Sequence, residues 1–203
     1  MTPSYGAKPT VLRCSRCGRF VDWEEARLQI VCGCRPRLDL PPVLVREARA
    51  EDRQAVLALF ERDFGRTRLV AFHEEVDLDG VPAIVADVDE EIAGALAHRD
   101  RGDALHIVAL ATDPTWQRSG VGGHLVAEAE LIARQRARRQ VIVSTTNDNL
   151  PALYFYQRRG YRVTDVIVAA AAGSSAEPAV GFGGIPIRDE IHLIKDLVSS
   201  ARA

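Results

Sequence analysis

Three glycines within four residues mark the segment of this sequence whose chemistry is easiest to identify. Gly120, Gly122 and Gly123 follow an apolar run that ends at Thr112, and they open a stretch with helical periodicity. Glycines let backbone N–H groups approach an anion closely, and a helix N-terminus adds partial positive charge. With Arg118 beside them, they predict a cradle for a pyrophosphate, although such a helix start can also serve packing alone.

Two other phosphate-binding motifs do not match this segment. A Walker A loop needs Gly-Lys-Ser/Thr, which is absent here. A dinucleotide fingerprint belongs to the first strand–helix unit of its domain, whereas this segment follows at least three predicted strands. Neither a P-loop nucleotide-binding fold nor a Rossmann fold is therefore indicated.

A second segment, residues 149–161, lies one predicted strand further along the chain. Together the two segments resemble the GCN5-related N-acetyltransferase (GNAT) family. The first family signature, Gln/Arg-x-x-Gly-x-Gly/Ala, matches residues 117–122. The second signature is an Asn, a short helix with a Tyr, and then x-x-x-Gly-Phe/Tyr, which matches residues 149–161. The resemblance covers residues 43–168 and a last strand near Ile194.

The resemblance implies that acetyl-CoA is the donor of an acetyl group. It implies that the strand before the glycine loop offers backbone groups to the pantetheine, at Leu110, Ala111 and Thr112. It also implies a contact between Asn149 and the cofactor. The pyrophosphate would lie on the backbone amides of the loop, which comprises Arg118, Ser119, Gly120, Val121, Gly122 and Gly123.

Acetyl transfer needs a neutral amine, whereas an alkylamine with a pKa near ~10.4 is mostly protonated at neutral pH. Tyr156 stands where the family has the tyrosine that protonates the leaving CoA thiolate, and a phenol is protonated at pH 7. Two positions at which relatives carry a glutamate base hold Ser144 and His106 here. His106 is a candidate base because imidazole can accept a proton directly or through water, and a space-filling role is its alternative. Further polar candidates are Glu74, Glu75, Asp189 and Glu190.

All four cysteines fall in one short N-terminal segment, as the pairs Cys14/Cys17 and Cys32/Cys34. Two close pairs of thiolates suit tetrahedral Zn(II), and a closed four-sulfur site is structural rather than catalytic. Redox-active thiols and an iron–sulfur cluster are the rival interpretations. A segment this short needs a metal to fold, so we predict a zinc-ribbon-like module.

The predicted organisation is a zinc module with its linker over residues 1–42 and a GNAT domain over residues 43–203. Strands and helices alternate after residue 43, which predicts an α/β (α+β) fold with a mixed central sheet flanked by helices. Residues 65–80 carry no clear pattern. Residues 169–186 are rich in Ala, Gly and Ser and predict a long excursion that suits a lid or a dimer arm.

The composition is that of an ordinary globular chain, with 26 Lys+Arg against 28 Asp+Glu and a formal charge of -2. This balance argues against broad nucleic-acid binding through phosphates. No apolar run is long enough to span a membrane, and the N-terminus lacks the apolar core of a signal peptide. We therefore expect a cytoplasmic protein, and a homodimer is compatible with the sequence.

The sequence predicts an N-acetyltransferase that carries the acetyl group of acetyl-CoA to a primary amine by direct transfer in a ternary complex. The acceptor is a small molecule or a peptide of unspecified identity. A non-catalytic acyl-CoA sensor, or a zinc-dependent binding or regulatory protein, is the alternative, because Ser144 occupies a position at which relatives carry a carboxylate. A redox sensor is a third hypothesis and predicts that no zinc is bound.

Overall fold

The computed structural model describes residues 11–13, 20–22, 42–117, 119–171 and 179–197. Two short N-terminal strands, β1 (Val11–Arg13) and β2 (Phe20–Asp22), pair antiparallel with each other. The residues predicted to bind zinc lie outside the described residues, as does Arg118; the zinc-binding set is Cys14, Cys17, Cys32 and Cys34. Within the described ranges, no group of three or more His, Cys, Asp or Glu side chains is placed to hold a metal ion.

The rest of the described chain consists of strands and three helices of two turns or more. The strands are β3 (Leu44–Glu47), β4 (Arg68–Ala71), β5 (Glu74–Asp77), β6 (Ala83–Val88), β7 (Glu91–Arg101), β8 (Ala104–Thr112), β9 (Gln140–Thr146), β10 (Arg162–Ile167) and β11 (Glu190–Asp196). The helices are α1 (Arg53–Phe64), α2 (Val121–Gln135) and α3 (Leu150–Gln157). None of these helices is long and apolar enough to cross a membrane.

Seven strands form one mixed sheet in the order β10-β11-β9-β8-β7-β6-β3, and its only parallel pair is β8 with β9. Helix α2 packs on one face, where Leu125 and Leu105 belong to one apolar cluster. Helix α1 and the separate β4–β5 hairpin pack on the other face, where Phe60 and Val76 belong to a second cluster. Both faces of β8 are covered, which explains its nearly continuous apolar run.

The two parallel strands are paired over only part of their length. Their register runs from Ala104 opposite Gln140 to Ile107 opposite Val143, and no pairing follows, although β8 continues to Thr112 and β9 to Thr146. A bulge in the pairing of β8 with β7 falls at Val108, directly after the last paired residue. The result is a wedge-shaped opening between β8 and β9, in which backbone groups of β8 have no neighbouring strand on one side.

Two local predictions differ from the structure. The helical periodicity that begins at Gly120 continues to Arg139 and predicts a helix to that point, whereas α2 ends at Gln135. Ala137 has a φ of 53°, because the chain turns there to join β9. Residues 65–80, which show no clear sequence pattern, contain the β4–β5 hairpin. The prediction of a mixed sheet flanked by helices is confirmed.

Candidate active site

The glycine loop joins β8 to the N-terminus of α2. Gly120 has a φ of +103°, a conformation that side chains other than glycine rarely adopt, and α2 begins at the next residue. The N–H groups of Val121 and Gly122 have no acceptor within the described residues. A Cβ on Gly122 would have only ordinary contacts with Phe155 and Thr112, at 3.5 and 3.6 Å. The loop therefore presents a bare backbone at a helix N-terminus, which suits an anion.

Arg159 adds a cation to this loop that the sequence motifs do not identify. Its guanidinium carbon lies 3.8 Å from the centre of the Phe155 ring, and its Nη1 donates to the Phe155 carbonyl at 3.3 Å. A Cβ on Gly123 would collide with Arg159 Nη2, so the guanidinium lies against the helix N-terminus. Burial lowers the pKa of Arg159, and no carboxylate in the described chain forms an ion pair with it. An arginine so placed is suited to a phosphate group.

Asn149 occupies the N-cap of α3. Its Oδ1 accepts a hydrogen bond from the backbone N–H of Ala152 at 3.2 Å, and Pro151 lies in the first turn. Its Nδ2 has no acceptor within the described part of the chain. The amide is therefore oriented by its capping bond and keeps a donor available for a ligand.

Tyr156 lies in the apolar cluster between α3 and the sheet. Its ring contacts Phe155 and Tyr161 edge to face, with centroids 5.1 and 5.2 Å apart. Burial raises the pKa of the Tyr156 hydroxyl above its usual value, so the phenol is protonated at neutral pH. No described residue forms a hydrogen bond with this hydroxyl. Tyr156 is thus in the protonation state that an acid requires.

Leu110, Ala111 and Thr112 all lie in the part of β8 that has separated from β9. Their other edge pairs with β7, where Ala111 is opposite Ala95. Arg62 Nη2 donates to the Thr112 carbonyl at 3.1 Å and fixes the end of the strand. The free edge of this segment forms one wall of the wedge, as a strand that binds pantetheine requires.

His106 lies in the paired part of β8, opposite Ile142, and it is completely buried. Arg99 Nε donates to its Nδ1 at 3.4 Å, and the Phe72 ring packs edge-on at 4.9 Å. Its Nε2 has no hydrogen-bond partner in the described structure. Burial, together with the charges of Arg99 and Arg101, lowers the pKa of His106 to about 3. His106 is therefore neutral at neutral pH and a much weaker base than an exposed imidazole.

A polar cluster beside His106 carries no motif in the sequence. Phe72 donates its backbone N–H to Glu190 Oε1 at 2.8 Å, and its ring centroid is 4.1 Å from that of His192. Glu190 Oε1 also lies 3.1 Å from His192 Nε2. Phe72 and His192 line a cavity of about 390 Å³ on this face of the sheet. In the sequence, the one sign of this cluster is that Glu190 stands at the start of a predicted strand.

The end of the excursion is fixed to the loop between β9 and α3. Asn147 Oδ1 accepts the N–H groups of Arg188 and Asp189 at 2.8 and 3.0 Å. Asp148 accepts the N–H of Phe182 at 3.1 Å, and Gly181 lies so close to this carboxylate that a Cβ would overlap it. Residues 179–188 therefore form a wall next to the loop that carries Asn149, whereas residues 172–178 lie outside the described ranges.

Comparisons with known proteins agree with this geometry. The profile of the acetyltransferase (GNAT) family matches residues 45–161. The protein YxbD of Bacillus subtilis (strain 168) is 34% identical over 149 residues, which cover 70% of this chain and 91% of YxbD. Streptothricin acetyltransferase of Streptomyces lavendulae is 26% identical over 106 residues, or 51% of this chain and 56% of that enzyme.

The fold matches solved structures as well. A Bacillus subtilis acetyltransferase in complex with CoA superimposes with a TM-score of 0.60 at 19% identity, covering 77% of this chain and 100% of that one. At this identity the match concerns the fold alone. The family profile, by contrast, spans the wedge, the glycine loop and α3 together. The chain therefore belongs to the acetyltransferase (GNAT) family, and it is an acetyl-CoA-dependent acyltransferase.

Proposed function

We propose that the protein transfers the acetyl group of acetyl-CoA to a primary amine of a small molecule, directly and within a ternary complex. The observation that carries this proposal is the wedge between β8 and β9, which has the glycine loop at its open end. A thioester bound in the wedge would be reached by the acceptor from the face that holds Phe72, His106 and Glu190. The streptothricin acetyltransferase relative supports a small-molecule acceptor.

In this proposal, CoA phosphates bind the backbone of the glycine loop and Arg159, while Leu110, Ala111 and Thr112 hold the pantetheine. The amine nitrogen attacks the thioester carbonyl carbon, and a backbone N–H of β8 stabilises the oxyanion. The C–S bond then breaks, and the Tyr156 hydroxyl donates its proton to the CoA sulfur. The proton of the amine leaves to water or to a carboxylate, because His106, with a pKa of about 3, holds a proton poorly at neutral pH.

The reaction is tested by two measurements on the purified full chain. Isothermal titration measures acetyl-CoA binding, and a thiol-reactive dye measures CoA release in the presence of primary amines that include streptothricin. We expect micromolar binding of acetyl-CoA and amine-dependent thiol release. Failure to bind acetyl-CoA would refute the proposal, and binding without release for every amine would favour the acyl-CoA sensor instead.

We also propose a structural zinc ion on Cys14, Cys17, Cys32 and Cys34, on the basis of their spacing alone. Elemental analysis should then give one zinc per chain, and serine at any one of these positions should reduce that content. A redox sensor would contain no zinc. The homodimer is a separate hypothesis, and sedimentation of the full chain tests it by measuring the molecular mass in solution.

A further inference from the structure

Two buried glutamates in this fold differ in how their charge is compensated. Glu130 and Glu190 are 7% and 6% exposed. The Glu130 carboxylate accepts two hydrogen bonds from the Lys195 ammonium, at 2.7 and 2.8 Å, and one from the Tyr161 hydroxyl at 3.3 Å. Glu130 is therefore fully paired by the chain itself.

Glu190 has no such partner. No lysine or arginine in the described chain forms an ion pair with it, and its hydrogen-bond donor is the neutral backbone N–H of Phe72. Only Oε1 takes part, while Oε2 accepts no hydrogen bond from a described residue. A carboxylate that is removed from water without a cation is costly unless something else supplies the positive charge. At Glu130 the Lys195 ammonium supplies that charge.

The nearby cations do not neutralise Glu190, because they are engaged elsewhere. Arg99 forms an ion pair with Glu74, and Arg101 lies 3.4 Å from the same carboxylate. Arg101 also lies over the Phe72 ring, 5.0 Å from its centre. His192 Nε2 lies 3.1 Å from Glu190 Oε1 but is not aligned for a hydrogen bond with it. The Oε2 oxygen of Glu190 is thus left without a donor from the described chain, at a place where a ligand can supply one.

The position of Glu190 fits the acceptor side of the wedge. Glu190 is opposite Thr146, the last residue of β9, and therefore beyond the point at which β9 has left β8. Its side chain lies on the face of the β4–β5 hairpin, opposite the face that α2 covers. An amine bound to Glu190 would therefore approach the wedge from the face of the sheet that carries the β4–β5 hairpin, and not from the face that α2 covers.

The contact that orients Glu190 comes from a strained turn. Phe72 and His73, at the tip of the hairpin, have φ angles of 53° and 62°. Bulky residues rarely adopt this left-handed conformation, and strain of this kind persists where surrounding contacts enforce it. Here the Phe72 N–H is bound by Glu190, and the Phe72 ring packs between His106 and His192. These contacts hold the tip of the hairpin with the Phe72 N–H directed at the Glu190 carboxylate.

We propose that Glu190 binds the primary amine of the acceptor in its ammonium form, so that the substrate class is a cationic amine. The inference rests on the proposed acetyl transfer and specifies its acceptor. An aliphatic amine is mostly an ammonium ion at neutral pH, so Glu190 would bind the protonation state that predominates in solution. One proton must leave before the nitrogen attacks, and Glu190 keeps that nitrogen at the wedge in the meantime.

The experiment is isothermal titration of CoA-saturated full chain with n-butylamine, cadaverine and spermidine, and with n-butanol as a neutral match. We expect Glu190→Gln to weaken binding of the amines that bind the wild type by about tenfold or more, because a charged hydrogen bond is lost. Glu190→Asp should keep part of the affinity. Glu61→Gln removes the same charge from the exposed surface of α1 and should change binding less than twofold.

The inference is overturned if Glu190→Gln binds the amines as the wild type does, if n-butanol binds as well as n-butylamine, or if no amine of the panel binds. The preceding CoA titration separates these results from a failure of the proposed function. CoA should bind Glu190→Gln as tightly as the wild type. The thermal midpoint of this variant should be unchanged or higher, since an unpaired buried charge is removed and a glutamine oxygen can still accept the Phe72 N–H.

Discussion

Arg159 should contribute a substantial part of the affinity for CoA, and Arg159→Gln tests this contribution. The guanidinium is half-buried against Phe155 and the N-terminus of α2, and it has no carboxylate partner in the described chain. A charged hydrogen bond is worth about 1.5–3 kcal/mol, and solvent screens a half-buried group less than an exposed one. At about 1.4 kcal/mol per factor of ten, the variant should bind CoA about 10- to 100-fold more weakly.

The neighbouring Arg158 provides a matched control. It is exposed, and it donates to the Tyr154 hydroxyl at 2.8 Å. Arg158→Gln should therefore change CoA affinity less than twofold in the same isothermal titration. Pantetheine, which lacks the pyrophosphate, should bind wild type and Arg159→Gln equally, because it has nothing for the guanidinium to hold.

Two results would refute this reasoning. If Arg159→Gln keeps CoA affinity within threefold of the wild type, the arginine does not contact phosphate. If pantetheine loses as much affinity as CoA, the substitution has disturbed α3 through Phe155 rather than removed a phosphate ligand. Arg159→Lys retains the charge but loses the planar group that stacks on Phe155. Its CoA affinity should therefore lie between that of the wild type and that of Arg159→Gln.

Three further predictions concern buried polar groups. Tyr156→Phe should lower kcat about 100-fold with little change in acetyl-CoA affinity, whereas a change in affinity alone would exclude the acid role. Glu130→Gln leaves Lys195 without its carboxylate and should cost about 2 kcal/mol, between the values for exposed and fully buried pairs, which chemical denaturation measures. The pKa of His106 is about 3 in the fold and near ~6.5 when unfolded, so the unfolded chain takes up the proton first as pH falls. The free energy of unfolding should therefore fall by about 2 kcal/mol between pH 7 and pH 5 on account of His106, and His106→Gln should show a correspondingly smaller fall over this range.

The parts of the site that depend on local sequence were predictable. A glycine loop at a helix start and an asparagine at an N-cap follow from backbone geometry over a few residues, and the structure has both at the expected positions. The strand before the loop is identified by its apolar run, which is covered on both faces. Residue spacing was sufficient in these cases because the local conformation does not depend on residues that are distant in the chain.

The acceptor side was not predictable in the same way. Phe72 and Glu190 are 118 residues apart in the chain, and neither belongs to a periodic pattern that would place it beside the other. His106 lies on the face of β8 opposite α2, and its low pKa depends on burial and on arginines from β7. The sequence shows that these residues are present. The surroundings that determine their ionisation come from strands and a hairpin that are distant in the chain and pack around them in the fold.

The bulge at Val108 changes which residues of β8 face α2. Before the bulge, Leu105 and Ile107 pack with α2, and after it Ala109 and Ala111 pack with α1, so the alternation is reversed within β8. Pairing with β9 stops at the same place. One extra residue therefore keeps both apolar layers filled and at the same time frees a strand edge for a ligand. The opening is created by a change in strand register and not by any particular side chain. Residue patterns therefore identify the strand and the glycine loop that border the opening, but they do not identify the opening itself.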